Sequence, residues 1–463
     1  MKSHFQTISP IDGSIYVEKP YSTEKEVGST FENAKKSQSL WRQVKIEDRA
    51  EICLKAVELM LEQKQEIAEE ITWQMGRPIQ YSAGEIAGFA ERAEFMVATA
   101  FDKLQPIMCS PQAGFNRYIQ RDPIGCLFSI APWNYPYLTA VNSIIPALMA
   151  GNSVVLKPSN QTPLTALRIF SALKESGLPD NVFQVLFLSH QNVQSVLESA
   201  DINAVAFTGS VSGGLAVQDA LRKRFIQSGL ELGGKDAAYV RADANIEFSV
   251  DNLVDGAFFN SGQSCCGIER IYVHKKVYDE FVDRFVATVN NYKLGDPRLM
   301  DTTLGPMVRT KSADFVRSQI SDAVKAGASA LIDESAFSDS QQDTPYLAPQ
   351  VLVNVGHSMS VMKDESFGPV VGIMKVNTDD HAIRHMNDSE FGLTGSVWTQ
   401  DEEAAVQIGE QVNVGTWFMN RCDYLDPALA WTGLKNSGRG VTLSEIGFEQ
   451  LTQAKSFHLR YKI

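Results

Sequence analysis

Cysteine is scarce in this chain: 6 of 463 residues, at Cys53, Cys109, Cys126, Cys265, Cys266 and Cys422. They are scattered, without the dense spacing of a disulfide scaffold, which points to a reducing compartment and a cytoplasmic location. Zinc-like spacing is also missing, so no metal site is expected. No run approaches the roughly 18 consecutive apolar residues of a membrane span, and the start, MKSHFQTISPIDGSIY, has no apolar core of signal-peptide length. Positive charge is in deficit. Lys and Arg number 42 against 55 Asp and Glu, a formal net charge of -13. That balance disfavours long-range attraction to nucleic acid or to an anionic membrane. What remains is a chain that is 44% apolar and long enough for two or three domains.

From Glu24 to about Lys103 apolar residues recur at three- and four-residue intervals, as in DRAEICLKAVELMLEQKQEIAEEITWQMG, which predicts helix after a short β start around Ile8 to Val17. The pattern then alternates. GCLFSIAPW reads as a buried strand, YLTAVNSIIPALMAG as a helix and NSVVLKPS as a strand. TPLTALRIFSALKESG reads as a helix capped by Thr162 with Pro163 in its first turn. VFQVLFL and NAVAFTG supply further strands around a helical QNVQSVLES. Such alternation describes crossover units on a parallel sheet, whose ligands lie outside the carboxyl ends of the strands. A second alternating series runs from about Ala237 to Gly433. FNRYIQRDP, residues 115–123, and the terminal SFHLRYKI fit neither series and are expected to pair as an arm.

FFNSGQSCCGIER, residues 258–270, places two adjacent cysteines after a Gly-Gln pair. Neighbouring α-carbons lie about 3.8 Å apart, short of the separation a disulfide prefers. Burial as small hydrophobes or nucleophilic chemistry remain. In GLELGGK, Glu231 is either a surface carboxylate beside a turn or a partly buried base. APWNYP presents Asn134 as a turn residue or as an amide aimed at an oxyanion. VLKPSN ends a strand at Lys157, an ordinary lysine or one that holds sugar hydroxyls or phosphate. FTGSVSGG joins a strand to a helix, where small residues bring pyrophosphate close to a helix N-terminus. It is not the GxGxxG fingerprint.

Taken together, PWNYP, LKPS, FTGS, ELGGK, GQSCC and ESFGPV resemble the aldehyde dehydrogenase superfamily in order and spacing over essentially the whole chain. The resemblance implies an α/β fold: a Rossmann-like cofactor domain (1–114 and 124–235), an α/β catalytic domain (236–433), and bridging or oligomerisation segments (115–123 and 434–463). It implies Cys265 as nucleophile, with Cys266 a neighbour, Glu231 as general base and Asn134 in the oxyanion hole. Trp133, Lys157, Asn160, Gly209, Ser210, Glu365 and Phe367 are the implied cofactor residues. Tyr135, Thr139, Asn142 and Trp431 are placed near the aldehyde tunnel, and Arg421 is a candidate for a substrate carboxylate, as in semialdehyde oxidation.

Expected reagents are a small-molecule aldehyde and NAD or NADP, and the expected assembly is a homodimer or homotetramer. Many NAD-preferring members carry Glu where this chain has Asn160; an uncharged amide does not repel a 2'-phosphate, so NADP tolerance or dual use is expected. After GLKNSGRG the Arg-Glu common in the family is also missing. The alternatives are a CoA-acylating dehydrogenase, which commonly lacks the base at Glu231, a non-catalytic cofactor-binding scaffold, and, less well matched, a cysteine hydrolase.

Overall fold

The computed structural model describes residues 4–462. An N-terminal hairpin, His4–Ile8 against Ile15–Pro20, precedes the helices Glu24–Trp41, Ile46–Glu62, Lys64–Met75 and Gly84–Lys103. The β start is therefore two strands around a turn at Gly13, not one continuous segment. The helical expectation for the next eighty residues holds because each helix turns one apolar stripe inward. In Gly84–Lys103 that stripe includes Ile86, Phe89, Ala93, Met96 and Ala100.

The first large sheet orders its strands Phe183–Val185, Ser153–Lys157, Cys126–Ile130, Ala204–Thr208 and Gln227–Glu231, all parallel, with Gly438–Arg439 antiparallel at the edge. In chain order the parallel strands run 3-2-1-4-5, the order of a dinucleotide-binding half. Ser153–Lys157 and Cys126–Ile130 are buried at every position, which explains their unbroken apolar runs. Strand order reverses between Cys126–Ile130 and Ala204–Thr208, so the loops after these two strands diverge and leave a crevice. One predicted cap differs. The helix after Lys157 is Leu164–Glu175, with Pro163 in the cap position and no capping side-chain bond; the Thr162 hydroxyl is buried, without a partner among the described residues.

The second large sheet orders Ser329–Ala330, Gln350–Val353, Val370–Val376, Ile268–His274, Asp236–Val240, Thr394–Trp398 and Thr416–Met419, parallel except at the first. A third, smaller sheet pairs Phe115–Pro123 with Thr452–Arg460 antiparallel along nine residues. Ile107–Met108 lies on its other edge. The two segments that fitted neither alternating series thus find each other. Tyr118 stacks on Phe457 with ring centroids 4.7 Å apart, and Phe115 on His458 at 5.0 Å. Among the described residues no helix is long and apolar enough to cross a membrane.

Candidate active site

Between the two large sheets runs a cleft enclosing about 2220 Å3, its open mouth included. Trp133, Asn134, Thr139, Lys157, Asn160, Gly209, Ser210, Glu231, Cys265, Glu365 and Phe367 all line it. They come from loops or strand ends far apart in sequence, and topology gathers them.

Cys265 sits in a turn between the buried stretch Asn260–Gly262 and the strand Ile268–His274, half-buried, while Cys266 is 3% exposed. Asn260 and Ser261 are left-handed, and Gly262 follows at φ 69°. A side chain at Gly262 would meet the Gly368 carbonyl at 2.3 Å, so only glycine lets the thiol loop approach the ESFG loop so closely. Gly234 does the same from the other side: a β-carbon there would lie 2.3 Å from the Cys265 carbonyl oxygen. The two adjacent cysteines differ in environment. Cys266 donates to the Asp423 carboxylate at 3.0 Å, and the Ser264 hydroxyl donates to the same carboxylate at 2.8 Å. Its thiol is pushed well up by contact with Cys265 and by burial, which keeps Cys266 protonated.

Asn134 follows the strand Cys126–Ile130 and precedes the helix Pro136–Met149. Its Nδ2 donates to the Gln263 carbonyl at 3.2 Å, two residues before Cys265, which uses one of two amide hydrogens. Asn260 Nδ2 donates to the carbonyls of both Asn134 and Gln263, at 3.4 and 3.3 Å. Arg77, buried and paired with the buried Glu85, also donates to the Asn134 carbonyl. Glu85 accepts from the backbone N–H of Tyr137 at 2.7 Å and of Leu138 at 3.4 Å, at the start of that helix. Sequence reading missed both members of this pair, because neither a glutamate in a helical run nor an arginine in the turn before it shows locally whether it faces solvent or core. The local signal was Glu85 lying on the apolar stripe with Phe89 and Met96.

Glu231 ends the strand Gln227–Glu231 and accepts from Thr208 at 3.0 Å and from Thr442 at 2.6 Å. Burial raises its pKa despite those two bonds, the direction that makes a carboxylate a better base. It lines the main cleft and also a second cavity shared with Thr139, Asn142 and Thr442.

The part of the cleft around Lys157, Ser210 and Glu365 is built from complementary pieces. Burial takes the Lys157 pKa down to about 8, and its ammonium has no ion-pair or hydrogen-bond partner among the described residues. Asn160 donates to the Tyr21 hydroxyl at 3.0 Å, leaving its Oδ1 buried without a partner. Ser210 caps the helix Val211–Leu221 by accepting from Gly213 N–H at 3.2 Å, so an N-terminus with positive partial charge opens on the cleft. Trp133 and Phe367 meet edge to face at 5.6 Å. Glu365 accepts from Gly234 N–H at 3.0 Å. The buried pair of Lys235 and Glu269 fixes its loop: Glu269 accepts from the Ser366 and Phe367 amides, and Lys235 donates to the Ser366 hydroxyl. An unpaired ammonium, an orphaned acceptor, a helix N-terminus and an aromatic pair together fit sugar hydroxyls, phosphates and a flat ring.

The residues expected around the tunnel part company. Thr139 lines both cavities and Asn142 the second. Tyr135 lies under the Arg77 guanidinium at 4.5 Å. Trp431 is 4% exposed and belongs to the apolar core around the helices. Arg421 is exposed, and its guanidinium lies 3.5 Å from the Tyr424 ring centroid instead of lining the cleft.

A doubly wound half, a facing α/β unit and a thiol–amide–carboxylate set at the seam define a nucleotide-cleft enzyme architecture with a cysteine at its centre. The aldehyde dehydrogenase family model matches residues 1–457, and the chain belongs to that family. It is 32% identical over 457 residues to an aldehyde dehydrogenase of Paenarthrobacter nicotinovorans, covering 97% of this chain and 98% of that protein. It is 30% identical over 450 residues to the succinate semialdehyde dehydrogenase [NAD(P)+] Sad of Escherichia coli strain K12, covering 97% and 96%. The NADP-dependent glyceraldehyde-3-phosphate dehydrogenase from Bacillus halodurans C-125, solved with NADP, superposes with a TM-score of 0.93 at 29% identity, covering 99% of this chain and 96% of that one.

Glu365 gives a pH prediction. Burial and the nearby Glu269 raise its pKa from 4.5 to about 8. Between those values the folded protein holds a proton that the unfolded chain releases, so this group's contribution is full at low pH and is lost as pH rises through about 8. Denaturation midpoints of the cofactor-free protein should therefore fall more steeply with rising pH for wild type than for Glu365→Gln. Parallel curves for the two proteins would contradict the shift.

Proposed function

We propose that this chain oxidises an aldehyde to a carboxylic acid with NAD or NADP as hydride acceptor, through a covalent intermediate on Cys265. The observation that carries this reading is the convergence of Cys265, Asn134 and Glu231 on the cleft that also holds Lys157, Ser210, Glu365 and Phe367. Lys157 and Asn160 would bind the adenosine ribose, with Gly209 and Ser210 beside the pyrophosphate. Glu365 would hold the second ribose, with Phe367 and Trp133 positioning the nicotinamide end. When bound, the nicotinamide accepts the hydride released at the reacting carbon.

The chain's own residues do the rest. The Cys265 thiolate attacks the carbonyl carbon, forming the sulfur–carbon bond and placing negative charge on oxygen. The free hydrogen of Asn134 Nδ2 and the Cys265 backbone N–H meet that charge, with Asn134 held still by Arg77 and Asn260. Collapse expels hydride and leaves a thioester. Glu231 takes a proton from water, hydroxide adds to the acyl carbon, and the carboxylic acid leaves as the thiolate is restored. A buried carboxylate with a raised pKa on the same cleft as the thiol supports water, not CoA, as the group that resolves the thioester.

Three further elements belong to the same reading. The residues around the first sheet form the cofactor unit (1–114 and 124–235) and 236–433 the catalytic unit. The arm made by 115–123 and 434–463 serves assembly into a homodimer or homotetramer, supported by an outer strand, Thr452–Arg460, that is almost wholly exposed. A cytoplasmic location is supported by six free cysteines.

Cys265→Ala should abolish NAD(P)H formation, at least about a thousandfold by analogy with losing any covalent nucleophile, whereas Cys266→Ala should retain most of it. The assay is absorbance growth at 340 nm on aliphatic, aromatic and acidic aldehydes without CoA; a CoA requirement, or full activity of Cys265→Ala, would defeat the proposal.

Cofactor choice is tested at Asn160. Its amide presents a neutral group, and Asn160→Glu should cut kcat/KM for NADP by about 10- to 100-fold while leaving NAD within a few fold, since a carboxylate repels the 2'-phosphate. Equal effects on both cofactors would remove Asn160 from the ribose site.

A further inference from the structure

The helix Gly84–Lys103 carries a second charged residue on its buried stripe, Arg92, which is 7% exposed. Its Nη1 donates to the Leu138 carbonyl at 2.6 Å and to Asn142 Oδ1 at 3.3 Å. Those bonds use both Nη1 hydrogens and leave the Nε–Nη2 edge of the guanidinium without a partner among the described residues.

Among the described residues no carboxylate comes within ion-pair distance of Arg92, and the two acids in its neighbourhood, Glu85 and Glu231, are already engaged. Glu85 is held by Arg77 and two backbone amides, and Glu231 by two threonine hydroxyls. Arg92 nevertheless lies within electrostatic range of Glu231, Cys266 and Cys265. Its partner Asn142 lines the cavity shared with Thr139 and Glu231, and keeps a buried Nδ2 without an acceptor. A buried, permanently charged group is costly unless something pairs with it. Among the described residues no acid pairs with it directly, and the open edge is the planar two-donor fork that matches a carboxylate.

We propose that Arg92 receives a carboxylate at the far end of the substrate, so that the preferred substrates are short ω-oxo acids. The inference rests on the aldehyde oxidation proposed above. Asn142 is the positioning residue: its Oδ1, with the Leu138 carbonyl, fixes the guanidinium through Nη1 and leaves the Nε–Nη2 edge free to take a ligand. Arg421 is replaced in this role, because its guanidinium is exposed and stacked on Tyr424. Chemistry at Cys265 is unchanged; the contact contributes orientation and affinity, which enter through KM and kcat/KM.

The test compares 4-oxobutanoate with butanal, which have equal carbon count and differ in the terminal charge. Wild type is expected to favour 4-oxobutanoate in kcat/KM. Arg92→Met should lower that value by about 30- to 100-fold, mainly through KM, with butanal kept within about threefold. Arg92→Lys should recover part of the loss, and it also serves as the test should Arg92→Met fail to fold. Wild-type preference for butanal, or an equal loss on both aldehydes in a variant of unchanged melting temperature, would overturn the assignment. Faster, Arg92-dependent turnover of glyceraldehyde 3-phosphate than of 4-oxobutanoate would overturn the choice of carboxylate over phosphate. Failure of every aldehyde, butanal included, would instead defeat the underlying oxidation.

Discussion

Arg77 and Glu85 face each other with almost no solvent contact, and the geometry around the thiol depends on what this ion pair holds. Arg77 reaches the Asn134 carbonyl and, at 3.3 Å, the Asn260 side chain, while Glu85 takes the first amides of the helix Pro136–Met149. A buried pair of this kind contributes little net stability by itself, because desolvation offsets attraction. Its value here is positional. It ties the loop bearing Asn134 to the left-handed segment that leads into Cys265, with Nε, Nη1 and Nη2 of Arg77 each donating one bond and both Glu85 oxygens accepting.

The second sheet supplies a matching constraint. Lys235 and Glu269 are buried together, and Glu269 organises the Ser366 and Phe367 amides while Lys235 holds the Ser366 hydroxyl. Gly233 and Gly234 then let Glu365 and the Cys265 loop approach from opposite directions without side-chain interference. Flexible loops alone would not hold a thiol, an amide and a carboxylate in register. Two buried ion pairs and a few close backbone approaches do.

Much of this architecture was legible in the sequence. Buried strands read as unbroken apolar runs, helices as three- and four-residue periodicity, and the order of short motifs identified the family. Those signals are local or collinear. The positions of Glu85 and Arg92 were not legible, because whether a charged side chain on a helix is buried depends on which neighbour covers it; Arg77 stands in the turn after Lys64–Met75, where nothing local separates a buried arginine from an exposed one. Thr162 shows the same limit on a smaller scale: its residue type suits a cap, but packing turns the hydroxyl inward. Arg421 was a candidate for a substrate carboxylate by residue type alone, and the structure shows it exposed with its guanidinium over the Tyr424 ring. The contrast between Cys265 and Cys266 also needed three dimensions, since Asp423, which accepts from Cys266 and Ser264, lies about 160 residues away in sequence.

In the proposed mechanism an acyl group passes through Cys265 and is released by water that Glu231 activates. Acid-quenched Glu231→Gln protein, mixed with an aldehyde and its cofactor and analysed by peptide mass spectrometry, tests it directly. The account predicts one equivalent of NAD(P)H formed rapidly and the corresponding acyl mass on the peptide containing Cys265, with slow turnover afterwards. Rapid steady turnover with no acyl mass on that peptide, or the acyl group on Cys266, would contradict it.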